Sequence, residues 1–347
     1  TYSAEDYQNY FGEIPKIFEK QAVIAHILTN AGARVSNLGK NKEAIECFDK
    51  AIKINPDSEN AWYNKGVTFY DLHKYEEAIK CFDKAIEIDP NFYKAWCFKG
   101  LVLQNLSKYE EAIKCFDKAI EINPDDIDVW NWKGLALQNL GKYEEAIKCF
   151  DKTIEINPDS GNAWYNKGVA FYDLHKYKEA IECFDKAIEI NPNFGCAWHN
   201  KGVAFYDLHK YEEAIECFDK AIEINSNFYK AWCFKGLALE DLGKYEKAIE
   251  CFDKAIEIDP NDIYVWNWKG LALQNLGKYE EAIKCFDKAI EINPNDIYTR
   301  YYKTLALALQ DLSEKEEANK RFAKEMEISK QIWQPSSNDY QNKLIQK

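Results

Sequence analysis

Eleven cysteines and five histidines are the side chains of this 347-residue sequence best suited to bind metal or act as nucleophiles. Eight of the cysteines, Cys47, Cys81, Cys115, Cys149, Cys183, Cys217, Cys251 and Cys285, stand 34 residues apart throughout. Zinc would need close Cys/His spacing, and no CxxC pair or Cys/His cluster occurs. Disulfides need α-carbons within roughly 7 Å, whereas packed helices lie about 8–10 Å apart. The lattice therefore reads as small half-buried apolar side chains in a reduced cytoplasm, with reactive thiols as the alternative. His73, His175 and His209 fall one or more periods apart, too far to converge on one ion. No glycine-rich phosphate loop, nucleophile elbow or paired catalytic constellation is present. The expectation is a protein without cofactor, metal or catalytic residues.

The 34-residue period extends far beyond the thiols. Trp recurs at Trp62, Trp96, Trp130, Trp164, Trp198, Trp232 and Trp266, and Gly follows each four residues later, from Gly66 to Gly270. A large apolar residue comes three further on, as in Phe69, Leu103 and Leu137, so each unit begins with one amphipathic helix. A second stripe, such as Ala78, Phe82 and Ala85, marks a second helix whose small residues permit close approach. The turn between them carries Gly39, Gly141, Gly243 and Gly277, or His73, His175 and His209, or Ser107. These residues suit, to differing degrees, the left-handed conformation that ends a helix. Pro56, Pro90, Pro124, Pro158, Pro192, Pro260 and Pro294 stop the second helix, with Ser226 the exception.

Composition narrows the partners. Hydrophobic content of 46% and charged content of 30% supply a packed core and argue against disorder. A net charge of −13 disfavours nucleic acid and anionic membrane surfaces. No apolar run approaches a membrane span, and Glu5 and Asp6 replace the basic start of a secretory leader. The sequence opens on Thr1 rather than Met, as a trimmed or processed chain would. Cytoplasmic localisation follows as an expectation.

The pattern W-x-x-x-G, A-x-x-x-F-x-x-A and a closing Pro resembles the tetratricopeptide repeat family. The resemblance covers residues 25–296 as eight units, with a degenerate ninth over 297–330 in which Tyr302, Ala306, Ala318 and Phe322 keep the pattern. Two departures are visible: the family's usual Tyr in the first helix is Phe or Leu, and its usual Leu before the Gly is Lys, as in Lys65 and Lys99. The resemblance implies an all-α, right-handed superhelical solenoid of antiparallel hairpins, the first helix of each lining a concave groove. Residues 1–24 are expected to form an N-terminal helical extension or cap, with a short helix at Ser3–Tyr10 and an extension from Pro15. Residues 331–347, with Trp333 and Pro335, read as a flexible tail. A longer period is superposed: Asn91–Phe98 recurs as Asn227–Phe234, and Val129–Trp132 as Val265–Trp268, an offset of 136 residues. The array thus reads as a doubled four-unit block.

With positions counted from residues 25, 59, 93 and so on, the Trp/Gly stripe leaves positions 2, 5, 6, 9, 12 and 13 on the other face of the first helix. That face carries Tyr63, Asn64, Tyr70, Phe98, Trp132, Tyr165, Asn166, Tyr172, His199, Asn200, Tyr206, Phe234 and Trp268. Exposed aromatics among amides, with few charges, describe a binding groove. Position 6 reads Asn30, Asn64, Phe98, Trp132, Asn166, Asn200, Phe234, Trp268. Asn is a mediocre helix former, and its amide offers a donor and an acceptor to an extended guest backbone. Asn ladders of this kind are what the family resemblance implies for peptide binding, with the Phe/Trp pair supplying apolar pockets. Inheritance of the Asn without a role, and burial of the Phe and Trp between neighbouring first helices, are the alternatives. The carboxylate clamp of some family members is met in part by Asn64 with Lys94 and by Asn200 with Lys230. Phe98 and Phe234 stand where its next basic residue belongs, and Thr29 and Ala33 do not supply its preceding part. The expected partner is another protein or peptide, with self-association through terminal units or the tail as the competing reading.

Overall fold

The computed structural model describes the backbone of residues 4–312 and 326, and side chains from residue 20 onward. Among the described residues the fold is all-α, with 17 helices and no strand. In chain order these are α1 (Ala4–Asn37), α2 (Asn41–Ile54), α3 (Glu59–Asp71), α4 (Tyr75–Ile88), α5 (Tyr93–Asn105) and α6 (Tyr109–Ile122). There follow α7 (Ile127–Asn139), α8 (Tyr143–Ile156), α9 (Gly161–Asp173), α10 (Tyr177–Ile190), α11 (Gly195–Asp207) and α12 (Tyr211–Ile224). The remainder are α13 (Tyr229–Asp241), α14 (Tyr245–Ile258), α15 (Ile263–Asn275), α16 (Tyr279–Ile292) and α17 (Ile297–Leu312). They divide into two compact units, residues 1–170 and 171–347.

Within each unit the hairpin is built the same way. From α4 onward the second helices open on Tyr, with acidic residues in the first turn such as Glu76 and Glu77, whose charge complements the exposed N–H groups there. The turn ending each first helix has positive φ at Gly39, His73, Ser107, Gly141, His175, His209, Gly243 and Gly277, as the sequence predicts. The Phe of the second helix (Phe48, Phe82, Phe116, Phe150, Phe184, Phe218, Phe252, Phe286) is fully buried in every hairpin. At about 25 cal/mol per Å² such a ring contributes on the order of 2–3 kcal/mol. It lies against the Gly of the first helix so closely that a Cβ on Gly66 would meet Phe82 Cε1 at 2.7 Å. That contact is why the first helix carries Gly in its middle despite the propensity cost.

Successive hairpins are riveted by the residue that departs from the family pattern. Lys65 Nζ meets Asp49 of the preceding hairpin at 2.5 Å, and Lys99 meets Asp83 at 2.6 Å; the pairing recurs from Lys133–Asp117 to Lys303–Asp287. The same ammonium lies over the Trp ring of its own helix, 5.6 Å from the Trp62 centroid and 5.3 Å from that of Trp198. The indole N–H donates to the carbonyl that closes the previous unit, Trp62 to Pro56 at 3.0 Å, and Trp232 to Ser226 at 2.9 Å. Ser226 therefore replaces Pro without loss of the bond, because only its carbonyl is used.

Within each unit the first helices of neighbouring hairpins touch: α1 with α3, α3 with α5 and α5 with α7, then α11 with α13, α13 with α15 and α15 with α17. Among the described residues no pair of second helices within either unit comes as close. The first helices therefore form the inner layer. At the N-terminus a single helix, α1, runs through Pro15 where the sequence reading has two segments. The degenerate ninth unit begins with α17; Ser3, Ala318, Phe322 and the tail 331–347 lie outside the described residues.

Candidate functional site

The inner stripe of the first unit is made of half-buried rings and amides. Tyr63 stands edge-on to Phe92 and Phe98, with centroids 5.1 and 5.5 Å away, and burial pushes its phenol up to about 12. Phe98 also packs against Tyr70 and against Phe82 of the preceding hairpin. Trp132 does the same on Phe116, at 6.3 Å. The Tyr70 hydroxyl accepts from Asn105 Nδ2 at 3.1 Å.

The position-6 amides are partly engaged by the chain itself. Asn64 donates to the Asn60 carbonyl at 2.7 Å, Asn30 Nδ2 lies 3.0 Å from His26 Nε2, and Asn166 donates to Asn131 Oδ1 at 2.9 Å. The last bond links α9 to α7 through positions 6 and 5. Each of these bonds leaves the amide a further N–H and carbonyl lone pairs. Gln104 Oε1, at position 12, is buried with no hydrogen-bond partner. Tyr165 is half-buried and Lys94 exposed.

The second unit repeats this arrangement with more charge and deeper burial. Tyr172 donates to Asp207 Oδ2 at 2.5 Å and Tyr206 to Asp241 Oδ2 at 2.6 Å. Both phenols are pushed far above their ordinary range by burial, and both carboxylates lie at position 13 of the following first helix. Asn267 is buried and donates to Thr299 Oγ1 at 2.8 Å. Asn200 and Lys230 are half-buried. Among the described residues Gln274 Oε1 is buried without a partner, as Gln104 Oε1 is.

Four residues read from the sequence as groove contacts are instead packing residues, one of them Tyr206, which is 8% exposed. Phe234 is 2% exposed and Trp268 9%, each seated on the buried Phe of the preceding hairpin (Phe218 and Phe252) about 6 Å away. Position 6 faces that Phe, so an aromatic there fills the layer between first helices rather than lining a pocket. His199, 6% exposed, is enclosed by Phe218, Phe228 and Phe234, with Nδ1 unpartnered. Burial, aided by the Lys230 charge, lowers its pKa to about 3.

Sequence reasoning missed Asp207, Asp241 and Glu240, all on the inner stripe. The signal was present: position 12 reads Tyr70, Gln104, Gln138, Tyr172, Tyr206, Glu240, Gln274, with one carboxylate in the series. On the outer side of the second unit, a cleft of about 720 Å³ between α12 and α14 is lined by charges of both signs and floored by the Lys235–Asp219 ion pair. The lattice cysteines are thiols: burial raises Cys81, Cys115, Cys149, Cys251 and Cys285 to about 11 and Cys217 to about 12. Among the described residues no helix is long and apolar enough to cross a membrane.

Comparison with known proteins agrees with this geometry. No curated protein matches the chain. Among solved structures, a tetratricopeptide repeat protein from Parabacteroides merdae has a TM-score of 0.55 at 19% identity, covering 72% of this chain and 99% of that one. The APC/C hetero-tetramer Cut9–Hcn1 has a TM-score of 0.53 at 16% identity, covering 81% and 55%. YrrB, described as a TPR protein with an unusual peptide-binding site, has a TM-score of 0.47 at 26% identity, covering 54% and 97%. The tetratricopeptide repeat profile matches residues 59–92, 93–126, 127–160, 161–194, 195–228, 229–262 and 263–296, and a further TPR profile matches 37–73. By these consecutive matches the chain belongs to the tetratricopeptide repeat family.

Proposed function

We propose that this protein is a non-catalytic cytoplasmic scaffold that holds a segment of a partner polypeptide along the groove lined by its first helices. The observation that carries this is the set of half-buried position-6 amides, Asn64 and Asn166 among them, each of which keeps an N–H and carbonyl lone pairs beyond the one bond it makes within the chain. The accessible residues assigned to the contact are Asn30, Tyr63, Asn64, Tyr70, Lys94, Tyr165, Asn166, Tyr172, Asn200 and Lys230.

The test is capture from lysate under reducing conditions with three proteins: wild type, a variant with Asn30, Asn64, Asn166 and Asn200 changed to Ala, and a control with Lys80 and Lys114 on second helices changed to Ala. Partners retained by wild type and control but lost from the Asn variant are expected. Equal retention by all three removes the groove from the reading.

Self-association is the second reading, favoured by Val23, Ile24 and Ile27 on α1, which are 58%, 48% and 59% exposed. A sedimentation coefficient that rises with concentration in wild type, and stays constant in Ile27→Asp, would establish it.

A further inference from the structure

The inner stripe of the second unit holds a carboxylate that nothing in the described chain answers. Glu240, on α13, is half-buried, and among the described residues no cation lies within ion-pair distance of it and no side chain donates to it. Tyr206 of α11 and Tyr302 of α17 both feel its charge, and α13 packs between the first helices α11 and α15. The neighbouring Asp241 already accepts from Tyr206, and Gln274 Oε1, one hairpin further on in the same unit, is a buried acceptor with no donor among the described residues. Burial, with Asp241 adding to it, raises the Glu240 carboxyl to about 7. The site thus presents acceptors and a negative charge, and among the described residues lacks a donor cation.

Building on the groove reading above, we propose that Glu240 receives a lysine or arginine side chain of the bound polypeptide. A partly desolvated carboxylate attracts a cation more strongly than an exposed one, and pairing relieves the penalty of its burial. Charge complementarity extends along the stripe. The second unit sets Asp173, Asp207, Glu240 and Asp241 against Lys230, whereas the first sets Asp71 and Asp128 against Lys94. Gln104, the counterpart of Glu240 in the first unit, is neutral, so the preference for a basic guest resides in the second unit.

Two measurements on the full chain test this. First, n-butylguanidinium chloride is titrated at pH 7.5 while the side-chain carboxyl carbon of Glu240 is followed by NMR. A saturable shift at Glu240, larger than at the exposed Glu223 and absent in Glu240→Gln, is expected. No excess shift at Glu240 overturns the proposal. So does a Glu240 carboxyl that titrates below the ordinary carboxylate range before the probe is added, since a cation from residues 313–347 would then hold the site. Second, a library of extended peptides identical except for Lys or norleucine at one central place is scored by fluorescence anisotropy. Wild type should favour Lys about tenfold, and Glu240→Gln should lose that preference while keeping its affinity for the norleucine form. Peptides that bind without a Lys preference overturn the cation site and leave the groove standing. A Glu240 shift with the small probe but no peptide binding keeps the cation site and removes the groove.

Discussion

Tyr63 in the first unit and His199 in the second occupy the same position 136 residues apart, and corresponding rings enclose them. Tyr63 lies among Phe82, Phe92 and Phe98, and His199 among Phe218, Phe228 and Phe234. The backbone and the ring cage are shared; the polarity at the centre is not. Further along the same faces, Gln104 becomes Glu240 and Asn105 becomes Asp241. Tyr70 accepts a hydrogen bond where Tyr206 donates one. The second unit has thus exchanged neutral groups for titratable ones while keeping the scaffold, so chemistry on the inner stripe varies independently of the packing beneath it.

The largest expected effect probes depth. Phe234→Ala should cost about 3–5 kcal/mol and Phe98→Ala distinctly less, because Phe98 is only half-buried. Hydrogen exchange of the α13 and α5 amides, compared between the two variants, reads this locally; equal losses would mean the two cages are equivalent. Next comes acid sensitivity. The folded pKa of His199, about 3, lies below its ordinary 6.5, so its contribution is complete above pH 6.5 and is lost as pH falls. At pH 5 the second unit should be weakened by about 2 kcal/mol, and His199→Tyr should abolish that loss.

Glu240 acts with the opposite sign. Its folded pKa of about 7 exceeds the ordinary 4.5, so stability is lost as pH rises between those values. Glu240→Gln should stabilise the second unit by about 1–2 kcal/mol at pH 8 and by almost nothing at pH 4. In wild type the two slopes oppose each other between pH 4.5 and 6.5, so urea midpoints of the single variants should diverge where wild type is nearly flat. The smallest effect contrasts the tyrosines. Tyr206→Phe leaves Asp241 without its donor and should exceed Tyr70→Phe by about 1 kcal/mol in urea unfolding.

The hairpins were legible because their signals repeat with the packing: Trp62, Gly66 and Phe82 each meet a partner fixed by the same spacing. The reason for Lys65 was not legible. Its partner Asp49 lies on the preceding hairpin, and a stripe drawn on one helix does not show which positions of the next one face it. His199, Tyr206, Phe234 and Trp268 were misplaced for the same reason. At position 6 an Asn keeps its amide partly exposed, whereas an aromatic packs into the layer between helices. Glu240 went unread because a glutamate on a helix is ordinarily solvated; its burial arises only when the neighbouring first helices α11 and α15 are in place.

The rivet of Lys, Asp and Trp has a consequence for how such a chain changes length. Every rivet joins position 7 of one unit to position 25 of the unit before, so the junction is the same wherever it is cut. Excising residues 93–126 would set Lys133 opposite Asp83, with Trp130 able to donate to the Pro90 carbonyl. Recombination between any two Trp codons therefore yields an intact rivet, and the length of the inner stripe is open to adjustment in whole steps of one hairpin.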